Sequence, residues 1–249
     1  MRILKITGIL LLSLLSALFI LFYVYTSFVD HLDVPNPEKT DFMHPSKLLM
    51  KYEVFISGIL MRPSYCNFVR DLKLTGNEKI LDFGSGAGGE AVHLAKLIRN
   101  KNGRLTCLDI SPSWLQVVRY RLSGYNNIDF IEGDITEQKL PGNTFDTIVV
   151  RLVLHDIPKD RRRPIINNFH AVLKPGGSVY IYEPVTGGHA IDETEMRSHF
   201  TGAGFTERYF NRVFSFVMVP PCTMAMAAYD KKPAPCQSNI STAPGSTSP

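Results

Sequence analysis

The chain lacks the features that mark several protein classes. It has only four cysteines in 249 residues, Cys66, Cys107, Cys222 and Cys236, far apart and without CxxC or metal-ligand spacing. A disulfide framework and a zinc site are therefore not indicated, no metal is expected, and packing thiols in a reducing compartment are the simpler reading. The formal net charge is only +4, too slight for the basic footprint of nucleic-acid binding. No internal repeat is present, so solenoids and propellers are excluded. With 45% hydrophobic and 20% charged residues, the composition is that of an ordinary globular protein. The length suits one α/β domain with appendages.

One long apolar run is present. Between Lys5 and Asp30 lie 24 uncharged residues, 6–29, rich in Leu, Ile and Phe. A bilayer-spanning helix needs about 20 such residues. A signal-peptide core is shorter, about 7–15 residues, and ends at a small-residue cleavage site that is not clear here. Tyr23, Tyr25 and Phe28 stand near the end of the run, where an aromatic belt belongs. Residues 1–29 read as a membrane anchor, single-pass or monotopic, with a cleaved signal or a buried core helix as alternatives. Arg2 and Lys5 before it, and Asp30 and Asp33 after it, favour a cytosolic N-terminus with the domain outside. The chemistry inferred below needs the domain in the cytosol, and it outweighs a bias of a few charges; a helix lying in the cytosolic leaflet satisfies both.

Residues 30–45 form a polar, proline-bearing linker. From Ser46, apolar residues recur at Leu48, Leu49, Tyr52, Phe55, Ile56, Ile59 and Leu60, a helical face. Arg62-Pro63-Ser64 interrupts it, with Ser64 expected to cap a second helix reaching Leu74. These cap helices, 46–75, either close over a ligand, rest on lipid, or pack on a sheet edge. The main domain is expected over 76–231. Residues 232–249, rich in Pro, Ser, Thr and Ala, read as a disordered tail, in which the sequon Asn239-Ile240-Ser241 carries little weight.

Within the main domain, strand and helix alternate. Lys79–Phe83, Arg104–Asp109, Ile128–Glu132, 147–154 and 178–182 read as strands. Ala91, Leu94, Ala95 and Ile98 give the first intervening helix its buried stripe. Ser111 and Pro112 open the next as N-cap and N1. Ile165, Ile166, Phe169, Val172 and Leu173 mark a third, stopped by Lys174-Pro175-Gly176-Gly177. Such alternation means a doubly wound parallel sheet with right-handed crossovers. The pattern then changes: Asp192 caps a helix through Phe200, and two strands near 206–216 and 224–229, with no helix between them, pair antiparallel.

The chemistry centres on Ile80-Leu-Asp-Phe-Gly-Ser-Gly-Ala-Gly-Gly89. A strand ending in an acid meets a glycine run that opens a helix, which presents backbone N–H groups to a nucleotide-like ligand. Gly84, Gly86 and Gly89 also satisfy G-x-G-x-x-G, so a nicotinamide oxidoreductase fits the loop alone. Asp109, ending the second strand, suits ribose hydroxyls in either case. Asp82 before the glycines is placed for a positively charged amino group rather than a pyrophosphate, and Asp134 ends the third strand where it can accept from an adenine amino group.

At this point LDFGSGAGG, LDISPSWL, GDITEQKLPGNTFD and VLKPGGSVYIYEP together resemble the class I S-adenosylmethionine-dependent methyltransferases. The resemblance implies a seven-stranded sheet, mostly parallel with an antiparallel last strand, and S-adenosyl-L-methionine as cofactor. By carry-over, Asp82 and Gly84, Ser85, Gly86 and Gly88 hold the methionine part, Asp109 with Ile110 the ribose, and Asp134 with Ile135 the adenine; Arg151 is counted with the cofactor site. A narrower resemblance links Leu154-His155-Asp156 and Glu183 to small-molecule O-methyltransferases. It implies His155 as general base, Glu183 as its orienting acid, and Glu195 as a second. Imidazole can take a hydroxyl proton near neutral pH while a carboxylate fixes its tautomer. The expected acceptor is small and lipophilic, with O-methylation ahead of S-, N- or C-methylation; a non-catalytic scaffold that kept the fold is the remaining alternative. Lys159 and Arg161-Arg162-Arg163 form a basic knot that either faces acidic head groups or is a solvated helix start.

Overall fold

The computed structural model describes Ser13, Ser16, Phe19 and Ile20, then residues 43–216, 218 and 221–234. Apart from those four residues, the expected anchor lies outside the described residues, as do most of the linker and the tail beyond 234. Among the described residues, no helix is long and apolar enough to cross a membrane.

The strands are β1 (Lys79–Phe83), β2 (Arg104–Asp109), β3 (Ile128–Glu132), β4 (Phe145–Arg151), β5 (Leu173–Pro184), β6 (Phe205–Ser215) and β7 (Cys222–Lys231). The helices are α1 (Lys47–Gly58), α2 (Arg62–Asp71), α3 (Gly89–Ile98), α4 (Pro112–Arg121), α5 (Lys159–Val172) and α6 (Glu193–Gly202), with a 3-10 turn over Leu154–Asp156. They build one seven-stranded sheet of order β3-β2-β1-β4-β5-β7-β6. β1 to β5 pair in parallel, and β7 runs antiparallel to both β5 and β6. β7 therefore slots between β5 and the edge strand β6, as expected for a seven-stranded sheet closed by an antiparallel hairpin.

Both faces of the sheet are covered. Ile148, Val150, Val179 and Ile181 pack against Ile165, Ile166 and Phe169 of α5 and Met196 and Phe200 of α6. Ile80, Leu105 and Val149 pack against Phe68 of α2, Leu94 and Ile98 of α3, and Leu115 and Val118 of α4. Burial on both sides explains why β4 reads as a continuous β-branched run instead of an alternating one. Tyr229 is fully buried and stacks on Phe200 at 4.2 Å between ring centroids.

Local caps follow the sequence. Ser46 Oγ accepts from Leu49 N at 3.1 Å, and Asp192 Oδ1 accepts from Glu195 N at 2.8 Å. Ser111 Oγ accepts from Trp114 N at 3.4 Å, with Pro112 in the first turn of α4. Four expectations shift. β4 runs from Phe145 to Arg151 instead of 147–154, because Leu154 opens the 3-10 turn. α2 starts at Arg62 with Pro63 in its first turn, where a missing N–H costs nothing, so Ser64 is not its cap. α2 also stops at Asp71 instead of Leu74. β5 begins at Leu173, because Leu173 pairs with Phe145 and, after the Lys174–Gly177 insertion, Ser178 pairs with Thr147; the KPGG turn is an irregularity within a strand. Cys107 and Cys222 are buried and Cys66 is exposed, all as free thiols.

Candidate active site

The glycine loop connects β1 to α3 at the C-terminal edge of the sheet. Gly84, Gly86 and Gly88 have φ of +71°, +47° and +77°, values that side chains resist. A Cβ on Gly84 would stand 2.5 Å from Val153 Cγ2, and one on Gly88 2.7 Å from Val118 Cγ2. The loop is thus pressed against β4's exit and α4, and its N–H groups do not stand free as the sequence led one to expect: Gly84 and Ser85 donate to the Leu108 carbonyl, Gly86 to Asp109 and Gly88 to the Ser85 carbonyl. Ser85 is buried and its hydroxyl donates to the Asp82 carbonyl at 3.0 Å, which locks the turn.

Three carboxylates line this loop. Asp109 takes Gly86 N–H at 2.8 Å on one oxygen and Ser111 N–H at 2.9 Å on the other, so it also clamps the loop to the end of β2. Asp82 is buried, and its Oδ2 has no hydrogen-bond partner among the described residues. Glu90, in the first turn of α3, is buried too. Burial, then the charges of Glu90 and Asp109, push the Asp82 carboxyl well above the usual range. Burial pushes Glu90 up to about 7, against the pull of Arg151, and burial also raises Asp109. An acid cluster this costly to bury calls for a positively charged partner. The orphaned Asp82 oxygen, within this acid cluster and beside a loop without side chains at Gly84, Gly86 and Gly88, fits the ammonium and sulfonium of S-adenosylmethionine.

The end of the site expected to take adenine is less open. Asp134 Oδ1 accepts from Thr136 N–H at 2.8 Å, and Asp134 Oδ2 is bridged by Arg161 at 2.6 Å. Ile110 is exposed at the end of β2, whereas Ile135 is buried in the core, so Ile135 has only its backbone to offer. Two hollows among the described residues lie away from the loop: one, about 290 Å³, by Gly176 and Asp230, the other, about 400 Å³, by Val185 and Glu193. Above the loop, Ser111 Oγ donates to the Met43 carbonyl at 2.9 Å, and Arg121 bonds both Ser57 Oγ, at 3.0 Å, and the Ala87 carbonyl. The segment from Met43 through α1 is therefore tied to the loop and α4.

A second constellation forms at the exit of β4. Leu152 is held at φ +56°, a strained value for a non-glycine residue. Glu183, fully buried on β5, accepts Val153 N–H at 2.7 Å and Leu154 N–H at 2.9 Å on one oxygen. Its other oxygen lies 2.6 Å from His155 Nδ1. Asp156 Oδ2 lies 3.4 Å from His155 Nε2. Burial works against charge on the imidazole, but the Glu183 hydrogen bond and the charges of Glu183 and Asp156 outweigh it, so the His155 pKa is raised.

Glu195 does not join this pair. It binds Arg162, buried on α5, at 2.8 Å, and Arg162 in turn donates to the carbonyls of Ile157 and His155. Glu195 thus acts on the turn's backbone through Arg162 and does not reach the imidazole. The same contacts dissolve the basic knot: Arg161 pairs with Asp134, and Arg162, with Lys159 at 3.9 Å, with Glu195, while Arg163 is exposed. Arg151 stands apart from His155. It faces α2, stacked on Tyr65 at 4.0 Å and Tyr182 at 4.6 Å. Glu90, Tyr65 and the strained Leu152 escaped the sequence reading; only the acid in the first turn after a glycine loop gave any signal for Glu90.

Residues 80–177 match the methyltransferase domain family. The ubiquinone/menaquinone biosynthesis C-methyltransferase UbiE of Coxiella burnetii is 31% identical over 158 residues, 60% of this chain and 62% of that protein. The phosphoethanolamine N-methyltransferase of Plasmodium falciparum is 32% identical over 112 residues, 45% of this chain and 41% of that one. The chain thus spans less than two thirds of the length of these relatives. A SAM-dependent methyltransferase structure from Methanosarcina mazei superposes with a TM-score of 0.57 at 18% identity, covering 67% of this chain and 98% of that one; that likeness shows the fold. Loop, sheet order and sequence match agree on a class I S-adenosylmethionine-dependent methyltransferase domain. The nicotinamide reading of the glycine loop is thereby overturned.

Proposed function

We propose that the chain transfers a methyl group from S-adenosylmethionine to a small, lipophilic acceptor. The cofactor supplies a methyl group activated on a sulfonium, with a thioether as leaving group. Asp82 and the loop from Gly84 to Gly88 would hold its amino-acid end, Asp109 its ribose, and Asp134 with the Ile135 backbone its adenine. In-line displacement from so good a leaving group depends chiefly on positioning, which the loop and its carboxylates provide.

The observation that carries O-methylation is the 2.6 Å contact between Glu183 and His155 Nδ1. With Nδ1–H donated to Glu183, Nε2 is the basic atom, and it can take the proton of an acceptor hydroxyl. Glu183 positions the ring and balances the imidazolium that forms. The UbiE likeness favours a second reading, carbon methylation of a quinone-type ring, in which the same base would take a ring hydroxyl proton; the phosphoethanolamine likeness keeps nitrogen in view. An anchor over residues 1–29 would hold the domain at a cytosolic membrane face, where lipophilic acceptors concentrate.

The test supplies methyl-labelled cofactor to the full chain with a membrane extract and identifies the labelled product. A labelled lipophilic ether, lost with His155→Ala and with Asp109→Ala, supports the first reading. A labelled ring carbon moves the assignment to the second. Label that survives His155→Ala but not Asp109→Ala removes the base.

A further inference from the structure

Arg151 is a buried charge that the mechanism leaves unused. It is 3% exposed at the end of β4. One nitrogen, Nη2, donates to Ser64 Oγ at 2.9 Å, while Nε and Nη1 have no hydrogen-bond partner among the described residues. Tyr65 and Tyr182 flank the guanidinium at 4.0 and 4.6 Å, with Phe68 at 5.4 Å. Stacking stabilises the cation, yet buried N–H groups without acceptors are costly and mark a place where an acceptor belongs.

Its position relative to the loop is fixed by the sheet. Val149 is the register partner of Asp82, and Arg151 lies two residues further along β4, so Asp82 and Arg151 project from the same face. Glu90 stands in the field of both. Tyr65, which holds the guanidinium, also packs on Gly89, where an added Cβ would meet its ring at 2.4 Å. One face of the β1–β4 edge thus presents an unpartnered carboxylate oxygen and, beyond it, two unpartnered guanidinium nitrogens. That is the complement of a zwitterion with an ammonium at one end and a carboxylate at the other.

We propose that Arg151 is the receptor for the α-carboxylate of the cofactor's amino-acid arm, with Asp82 taking the ammonium, so that β4 fixes the far end of the ligand. This rests on the cofactor reading of the loop and adds to it. α2 joins the site through Ser64 and Tyr65, which hold the guanidinium in plane. The cap helices therefore belong to the cofactor site and are not merely edge packing.

The test is calorimetric titration of the full chain with S-adenosylmethionine and with its decarboxylated analogue, which keeps the amine and the sulfonium. Wild type should bind the analogue roughly ten- to a hundredfold more weakly, the range for a charged hydrogen bond. Arg151→Gln should weaken S-adenosylmethionine by that factor and leave the analogue within about threefold, abolishing the discrimination. Arg151→Lys, which keeps the charge but not the fork, should fall between. General loosening of the fold would weaken both compounds alike and would not remove the difference. If Arg151→Gln does not fold, wild type and Arg151→Lys still decide. Equal affinity of wild type for the two compounds, or discrimination that persists in the variants, overturns the assignment while leaving the cofactor reading intact. Failure of wild type to bind either compound overturns both.

Discussion

Glu183→Gln keeps the shape of the side chain at the centre of the β4 turn and removes its charge. In the wild type one oxygen caps Val153 and Leu154 N–H, and the other faces His155 Nδ1 at 2.6 Å and His155 N at 3.4 Å. An amide has one acceptor oxygen, which the two backbone groups claim. Its NH2 then faces two donors, and the ring can answer only by moving its proton to Nε2, the atom needed as base. The lost hydrogen bond involves buried charge, so the expected cost is about 1.5–3 kcal/mol of stability. Its pH dependence has a definite sign. The folded-state pKa of His155 is raised, so the stabilisation from this pair is fully present below about 6.5, the unfolded value. It is lost as pH rises through the folded value. Urea denaturation should therefore show a larger deficit for the variant at pH 6 than at pH 9, with the capping loss remaining. NMR titration of the ring should show a lowered pKa, and kcat should fall by roughly a hundredfold or more with cofactor affinity preserved. An unchanged His155 titration, or a deficit equal at both pH values, would refute the reasoning.

Four further outcomes follow from the same geometry. Gly84→Ala should destabilise the fold by about 1–3 kcal/mol through positive φ and contact with Val153; Val153→Ala should restore only part of the loss in a melting experiment. Glu90, raised to about 7, gives the free protein stability that is present below the ordinary carboxyl range and lost as pH rises through about 7, so Glu90→Gln should flatten the melting profile between pH 5 and 8. Asp109→Asn removes a charge from the proposed ribose site and a clamp on Gly86, and calorimetry should show cofactor binding roughly tenfold weaker or worse. Arg162→Met removes the nearest partner of Glu195, leaving His199 at 3.5 Å and Lys159 at 3.9 Å, and should cost up to about 3 kcal/mol, whereas Glu195→Gln, which does not touch the imidazole, should leave the pH profile of kcat in place.

Much of this fold was legible in one dimension because each signal was local. The β-branched run at 147–150 forecasts a strand covered on both faces, and Ser46, Ser111 and Asp192 mark helix starts because their side chains bond N–H groups three residues on. The antiparallel ending followed from the lack of a helix between β6 and β7. The early start of α2 was missed because Pro63 reads equally as a breaker and as a first-turn residue. Extending β5 back to Leu173 needed a partner, Phe145, that no local pattern names.

The site divides in the same way. By itself, the sequence marked the glycine loop with Asp82 and Asp109, because those residues sit at strand ends and the fold class dictates where strand ends go; the pairing of His155 with Glu183, which lies near the end of β5, was implied by the likeness to small-molecule O-methyltransferases. Only the tertiary structure decided that Glu195 answers Arg162, that Asp134 is held by Arg161, and that Arg151 turns toward α2 with two N–H groups unanswered. The physical reason is that a charged side chain takes the nearest partner in space, and here those partners lie 27, 33 and 87 residues away along the chain.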